Sequence, residues 1–282
     1  MVTETDVVLG DGRTLHAYDT GTGERTTELA VFWQHGAPST GAPPEPLFAA
    51  AAERGIRWVS HDRPGYGEST PHPGRDVASA AADVASVVDA LGIGRFAVMG
   101  DSGGGPHALA CAAVLPGRVL AAVCMSGPAP FDAEGLDWFA GMTPSVAAEY
   151  RAAATGRAAL EAYLASAEFD PEAFTPADHA LFGPWSWMGT VVSRALETDQ
   201  GGMVDDDLAY VSSWGCDLRE ITAPVLFVQG AQDRVVPSSH ATWLAQRCRT
   251  AELWLRPDDG HVSILNSSVM ALDWLCERAS HR

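Results

Sequence analysis

The sequence predicts an α/β fold: a mostly parallel, eight-stranded sheet with helices on both faces and a helical lid inserted after the sixth strand. Three observations carry this. Short apolar runs alternate with segments of helical period, with short connections, as in a parallel sheet covered on both sides. A Gly-x-Ser-x-Gly turn, Gly100 to Gly104, joins one such run to an alanine-rich one. The segment 131–214 breaks the alternation and holds no strand-like run.

The elements follow in order. Val7-Val8-Leu9 and Leu15-His16-Ala17-Tyr18 flank Gly10-Asp11-Gly12-Arg13, and Asp-Gly between apolar runs signals a hairpin. Leu29-Ala30-Val31-Phe32-Trp33 is continuous and apolar, as a buried strand requires. A Pro/Gly-rich loop and a short helix near Leu47–Arg54 lead to the strand Ile56–Ser60. Asp76 to Leu91 places Val77, Val84, Val87, Val88 and Leu91 close to helical spacing. The strand Phe96–Met99 then enters the serine turn and its helix, and Leu120–Met125 is the sixth strand. Pro224–Val228 and Glu252–Leu255 complete the sheet, followed by helical runs at Ser238–Cys248 and Val262–Ala279.

This divides the chain into a core of residues 1–130 and 215–282 and a lid of residues 131–214. A lid in that position covers the carboxyl ends of the strands, where open α/β sheets bind ligands. Most of its aromatics are expected to pack lid on core, with a few lining a pocket. Trp138, Phe139, Met142, Trp185 and Trp187 are the pocket candidates, with His35 and Val235 from the core. Asp205-Asp206-Asp207 reads as an exposed helix start.

Composition narrows the function. With 46% hydrophobic residues the 282-residue chain can bury a sizeable core. The net charge is −18, and no basic cluster is present in the sequence to meet the phosphates of a nucleic acid or an anionic membrane; every basic side chain is arginine. The expected partner is a small-molecule substrate, with the protein a monomer or homodimer. The five cysteines are scattered, without metal-ligand spacing, and fit free thiols in a reducing compartment. Neither a signal peptide nor a membrane span is visible, which predicts a cytoplasmic protein. Gly100 to Gly105 lacks the context of a dinucleotide fingerprint, so no cofactor is expected, and no metal.

A serine on a tight strand-to-helix turn has its hydroxyl lifted clear of the backbone. It needs a histidine to take its proton and an acid to orient the imidazole. On this architecture the chain order is serine, acid, histidine. His107 lies in the helix that begins at the turn, His281 in the terminal tail, and His240 reads as a helix-surface residue. His261, after Asp258-Asp259-Gly260 at the end of the last strand, is the base. Asp233, in the loop after Val225–Val228, is the acid; the end of the preceding strand carries the uncharged Ser126 instead. Asp258 and Asp259 read as a solvated turn. Backbone amides of Gly103 and Ala37 are the expected oxyanion donors, with Gly36 permitting the turn that aims Ala37.

His35-Gly36-Ala37-Pro38, then Asp62-Arg63-Pro64-Gly65-Tyr66-Gly67-Glu68-Ser69, the serine turn, Gly230-Ala231-Gln232-Asp233-Arg234-Val235-Val236-Pro237 and Asp259-Gly260-His261 come in one order. That order resembles the α/β-hydrolase superfamily, in its branch of esterases, non-haem haloperoxidase-like perhydrolases and C–C hydrolases. The resemblance covers nearly the whole chain apart from the lid, and it implies that Asp62–Ser69 is a structural turn. Epoxide hydrolases and haloalkane dehalogenases of this fold need a carboxylate nucleophile, which Ser102 is not. Prolyl aminopeptidases usually carry tryptophan where Asp101 stands.

The expected activity is therefore a cofactor-independent serine hydrolase, carboxylesterase-like, cleaving neutral esters or lactones through an acyl-enzyme. C–C bond hydrolysis, peptidase activity and a ligand-binding protein with little turnover are the alternatives.

Overall fold

The structure, a computed structural model, describes residues 2–21, 29–197 and 200–281. Eight strands form one sheet: β1 (Thr3–Val8), β2 (Thr14–Asp19), β3 (Leu29–Gln34), β4 (Ile56–His61), β5 (Phe96–Asp101), β6 (Val119–Met125), β7 (Val225–Gly230) and β8 (Ala251–Arg256). Their order is β1-β2-β4-β3-β5-β6-β7-β8. The β1–β2 hairpin pairs antiparallel within itself and onto β4, and the remaining pairs are parallel.

Side-chain alternation along the strands feeds two cores. Phe32, Val98, Ala122 and Phe227 point to one face, against Val84, Val87 and Val88 of α2 (Ser79–Ala90) and Leu109 of α3 (Gly104–Val114). Ala241 and Leu244 of α9 (Ser238–Arg247) complete that layer. Val31, Trp33, Ala97, Met99, Val123 and Leu226 point to the other face, with Ala51 of α1 (Phe48–Arg54) and Leu272 and Leu275 of α10 (Ser268–Ser280). The central strands are buried on both faces and so read as continuous apolar runs. Gly55 ends α1 in the left-handed region at φ 65°, its amide bonding Ala51 and Ala52 carbonyls.

Between β6 and β7 the described chain is helical: α4 (Pro144–Thr155), α5 (Arg157–Leu164), α6 (Pro176–Leu181), α7 (Ser186–Ala195) and α8 (Gly201–Tyr210). This insertion has a small core of its own around Leu160, Leu164 and Val204. It also shares both sheet cores, through Ala209 and Tyr210 on one face and Leu181 and Trp185 on the other.

Three expectations are corrected. Asp205, Asp206 and Asp207 sit inside α8 and are buried, because arginines and a carboxyl partner meet them there. His240 is fully buried: its Nδ1 accepts from the Ala129 amide (3.1 Å) and its Nε2 donates to the Trp138 carbonyl (2.9 Å). The run from Val262 opens as a 3₁₀ turn, Ser263–Ser267, because Asp178 takes the Val262 and Ser263 amides (2.8 and 2.6 Å). No helix among the described residues is long and apolar enough to cross a membrane.

Candidate active site

Ser102 lies between the last residue of β5 and the first of α3, at φ 50°. A left-handed serine costs about 1–2 kcal/mol. The surroundings hold it there: its amide donates to the Met125 carbonyl (2.8 Å) and its carbonyl accepts from Gly105 (2.9 Å). The turn is this tight only with glycine at two sites. A Cβ on Gly100 would overlap the Gly104 carbonyl, and one on Gly104 would overlap the Gln34 carbonyl at the end of β3. So the second glycine makes room for β3 rather than for the strand that precedes it. Gly36 does not adopt positive φ, and a Cβ on it would stand 3.7 Å from the Ser102 Cβ; its expected conformational role is absent.

The hydroxyl of Ser102 is 2.9 Å from His261 Nε2, and His261 Nδ1 is 2.9 Å from Asp233 Oδ2. Asp233 is held from both sides. Its Oδ1 accepts from the Val235 and Val236 amides (2.9 and 2.8 Å), and its Oδ2 accepts from Gln229 Nε2 (3.0 Å). The loops carrying acid and base touch, since a Cβ on Gly230 would overlap the Gly260 carbonyl. Burial alone would lower the pKa of His261. The Asp233 carboxylate and its hydrogen bond, with Asp101 and Asp178 behind them, outweigh burial and lift it to about 9. Asp101 is raised to about 6 by burial, against the pull of His261 and with a push from Asp233.

Ala37 stands beside Gly103: its Cβ is 3.0 Å from where a Gly103 Cβ would be. Neither amide donates a hydrogen bond to an acceptor among the described residues. A developing oxyanion needs uncommitted N–H donors of this kind.

Residues 30–268 match the alpha/beta hydrolase fold family. The chain belongs to that family. This α/β-hydrolase is 31% identical over 219 residues to a non-heme chloroperoxidase of Streptomyces lividans, covering 76% of the chain and 77% of the relative. It is 29% identical to a 2-hydroxy-6-oxononadienedioate/2-hydroxy-6-oxononatrienedioate hydrolase of Cupriavidus pinatubonensis, covering 90% and 88%. It has the fold of a thermophilic esterase from Thermogutta terrifontis, with TM-score 0.72, 21% identity and coverage of 98% and 99%. The family and its relatives support a hydrolase activity.

The expected pocket residues are scattered. His35 is 1% exposed and spends both ring nitrogens on backbone, Nδ1 donating to the Gly36 carbonyl (2.7 Å) and Nε2 accepting from the Arg63 amide (3.0 Å). It braces a loop and does not line a pocket. Trp138 is buried in a ring cluster with Phe139, Tyr150 and His240, and its indole donates to the Ala129 carbonyl (2.8 Å). Phe139, half-buried, has the Arg151 guanidinium over its ring. Trp185 is buried and Trp187 half-buried, both against the second sheet core. Met142 and Val235 are half-buried, and Val235 contributes its amide to Asp233.

Several residues of this α/β-hydrolase's site escape sequence reasoning. Gln229 holds Asp233. Asp178, fully buried in α6, takes the Val262 and Ser263 amides and the Ser263 hydroxyl on Oδ1 (2.8, 2.6 and 2.8 Å). Its Oδ2 caps its own helix through Thr175. The capping pattern Thr175-Pro176-Ala177-Asp178 is visible in sequence; the reach of its second oxygen to the His261 loop is not. At the sheet edge, Asp6, His16 and Glu68 are the one group among the described residues that could offer three ligand atoms to an ion. His16 already pairs with both acids, and with Glu4. The five cysteines are free.

Proposed function

We propose that the chain is a cofactor-independent serine hydrolase of neutral carboxylic esters or lactones, with residues 131–214 as its lid. One observation carries the reading: an unbroken hydrogen-bonded relay from Ser102 through His261 to Asp233, beside two free amides. In this reading His261 Nε2 takes the Ser102 proton as Oγ attacks the carbonyl carbon. The Ala37 and Gly103 amides stabilise the oxyanion of the tetrahedral intermediate. Asp233 keeps the Nδ1 proton in place and stabilises the imidazolium. His261 then protonates the leaving alcohol, and water repeats the sequence on the acyl-enzyme to release the acid. Ser102 as nucleophile leaves Asp101 no covalent role.

A second reading, hydrolysis of a C–C bond next to a ketone, draws support from the relative named as a 2-hydroxy-6-oxononadienedioate/2-hydroxy-6-oxononatrienedioate hydrolase. A panel of esters, lactones and a 2-hydroxy-6-oxo-dienoate separates the two. Esters or lactones should turn over fastest, and Ser102→Ala should cut kcat by about 10⁶-fold. Preferred turnover of the dienoate would favour the second reading. No turnover of any member would leave a ligand-binding protein.

A further inference from the structure

We propose that helix α8 of the insertion sets the oxyanion site: Asp206 fixes Arg63 so that it aims the Ala37 amide, and Tyr210 fixes Gly103. The proposal rests on the serine-hydrolase reading and assigns positioning roles to Arg63, Asp206 and Tyr210, all buried.

Arg63 follows β4 and is 1% exposed. Its guanidinium donates to two successive carbonyls of the loop after β3: Nη1 to His35 (2.5 Å) and Nη2 to Gly36 (3.0 Å). The Gly36 carbonyl and the Ala37 N–H belong to one peptide unit. In a trans peptide the two point in opposite directions. A cation gripping the carbonyl therefore turns the amide away from itself, and polarises it. His35 Nδ1 adds a second donor to the same carbonyl (2.7 Å). Burial and the neighbouring guanidinium of Arg63 hold His35 neutral, far below its ordinary pKa, so one ring nitrogen can accept while the other donates.

Arg63 needs a counter-charge, because an unpaired buried guanidinium is costly. Asp206 of α8, fully buried, supplies it: Oδ2 accepts from Arg63 Nη2 (2.6 Å) and Nε (3.1 Å). Asp206 also receives Arg75 Nη1 (2.6 Å) and the Tyr66 hydroxyl (2.9 Å). Burial alone would raise its pKa; the two guanidiniums outweigh that and keep it a carboxylate. Two arginines on one carboxylate leave an excess positive charge. The carbonyls of His35, Gly36, Pro64 and Gly202 absorb it.

Tyr210 is four residues further along α8, on the same helix face as Asp206. Its hydroxyl donates to the Gly103 carbonyl (2.9 Å), and it stands where a Gly103 side chain would be. One helix face thus reaches both sides of the anion cradle: the Gly36–Ala37 peptide through Arg63, and Gly103 through Tyr210, which anchors the residue by its carbonyl, on the peptide next to the one that carries the Gly103 N–H.

The test compares wild type, Tyr210→Phe, Arg63→Lys and Asp206→Asn on a short p-nitrophenyl ester, with an aryl trifluoromethyl ketone as a probe of oxyanion binding. Tyr210→Phe keeps the ring and loses one hydrogen bond; kcat should fall about tenfold with KM within about twofold. Arg63→Lys cannot bridge two carbonyls and a carboxylate, and should lose about 10²-fold, the scale of one oxyanion donor. Ketone affinity should weaken in the same proportion as kcat, while the pH midpoint of kcat/KM, set by His261 and Asp233, stays put. A folded Tyr210→Phe and a folded Arg63→Lys with wild-type kcat and ketone affinity would overturn the proposal. Should Asp206→Asn fail to fold, the other two variants decide. Wild type that neither hydrolyses esters nor binds the ketone would overturn the serine-hydrolase reading itself, a different result from active wild type with silent variants.

Discussion

Replacing Asp233 by asparagine changes one atom's chemistry and leaves its shape. Its Oδ1 position faces two backbone donors, the Val235 and Val236 amides at 2.9 and 2.8 Å. The asparagine oxygen must sit there, so its NH₂ faces His261 Nδ1 and Gln229 Nε2. That NH₂ donates to Nδ1, which forces the imidazole proton onto Nε2, the nitrogen 2.9 Å from Ser102. The base then presents a proton where it should accept one. Rotating Gln229 to receive the NH₂ would turn its oxygen on the Val236 carbonyl, now 2.9 Å from Nε2. The loss should be about 10⁴-fold in kcat, or about 5 kcal/mol of barrier. The charge leaves too. Asp233 is the main group lifting His261 from 6.5 to about 9, so the pH midpoint should fall in the variant. Steady-state hydrolysis of a short p-nitrophenyl ester from pH 5 to 10, corrected with Ser102→Ala, reads both effects. An asparagine variant within tenfold of wild type, with an unmoved midpoint, would refute the assignment.

Wild-type kcat/KM should rise with pH, because only neutral His261 can accept the serine proton, and its midpoint should lie near 9 rather than at the ordinary 6.5; a stopped-pH series with a midpoint at or below 6.5 would contradict the Asp233 pairing. Asp178→Asn turns an NH₂ on donors that now share a carboxylate, and should cost about 3 kcal/mol, one to two charge-assisted hydrogen bonds. It should also lower kcat as the His261 loop loosens; urea melts and initial rates matching wild type would remove Asp178 from the account. Gly100→Ala drives a Cβ into the Gly104 carbonyl and should destabilise by about 3 kcal/mol, at the upper end of overpacking; an unchanged melting temperature would mean the turn is looser than described.

The sheet is legible because each central strand is buried on both faces and so writes a continuous apolar run, as Leu29–Trp33 does. The Ser102–His261–Asp233 alignment is legible because the turn needs glycines and the chain order leaves few histidines and acids. What is not legible depends on partners far away in sequence. Asp206 looks like one of three surface acids until Arg63, 143 positions earlier, is folded against it. His240 sits in an ordinary amphipathic helix, and nothing local announces that Ala129 and Trp138 will use both its nitrogens. Asp178 carries a helix-capping pattern that explains one of its oxygens and hides the other. The aromatics of the insertion have no period or spacing that tells a packing ring from a pocket wall. The upward shift of His261 likewise needs the fold, since it arises from carboxylates contributed by β5, the insertion and the loop after β7.

The most direct test of the central claim is covalent. A fluorophosphonate probe should add one phosphonyl group to the protein, and peptide mass mapping should place it on Ser102. Labelling should vanish in Ser102→Ala and slow in Asp233→Asn. Modification elsewhere, or equal labelling of Ser102→Ala, would contradict the account.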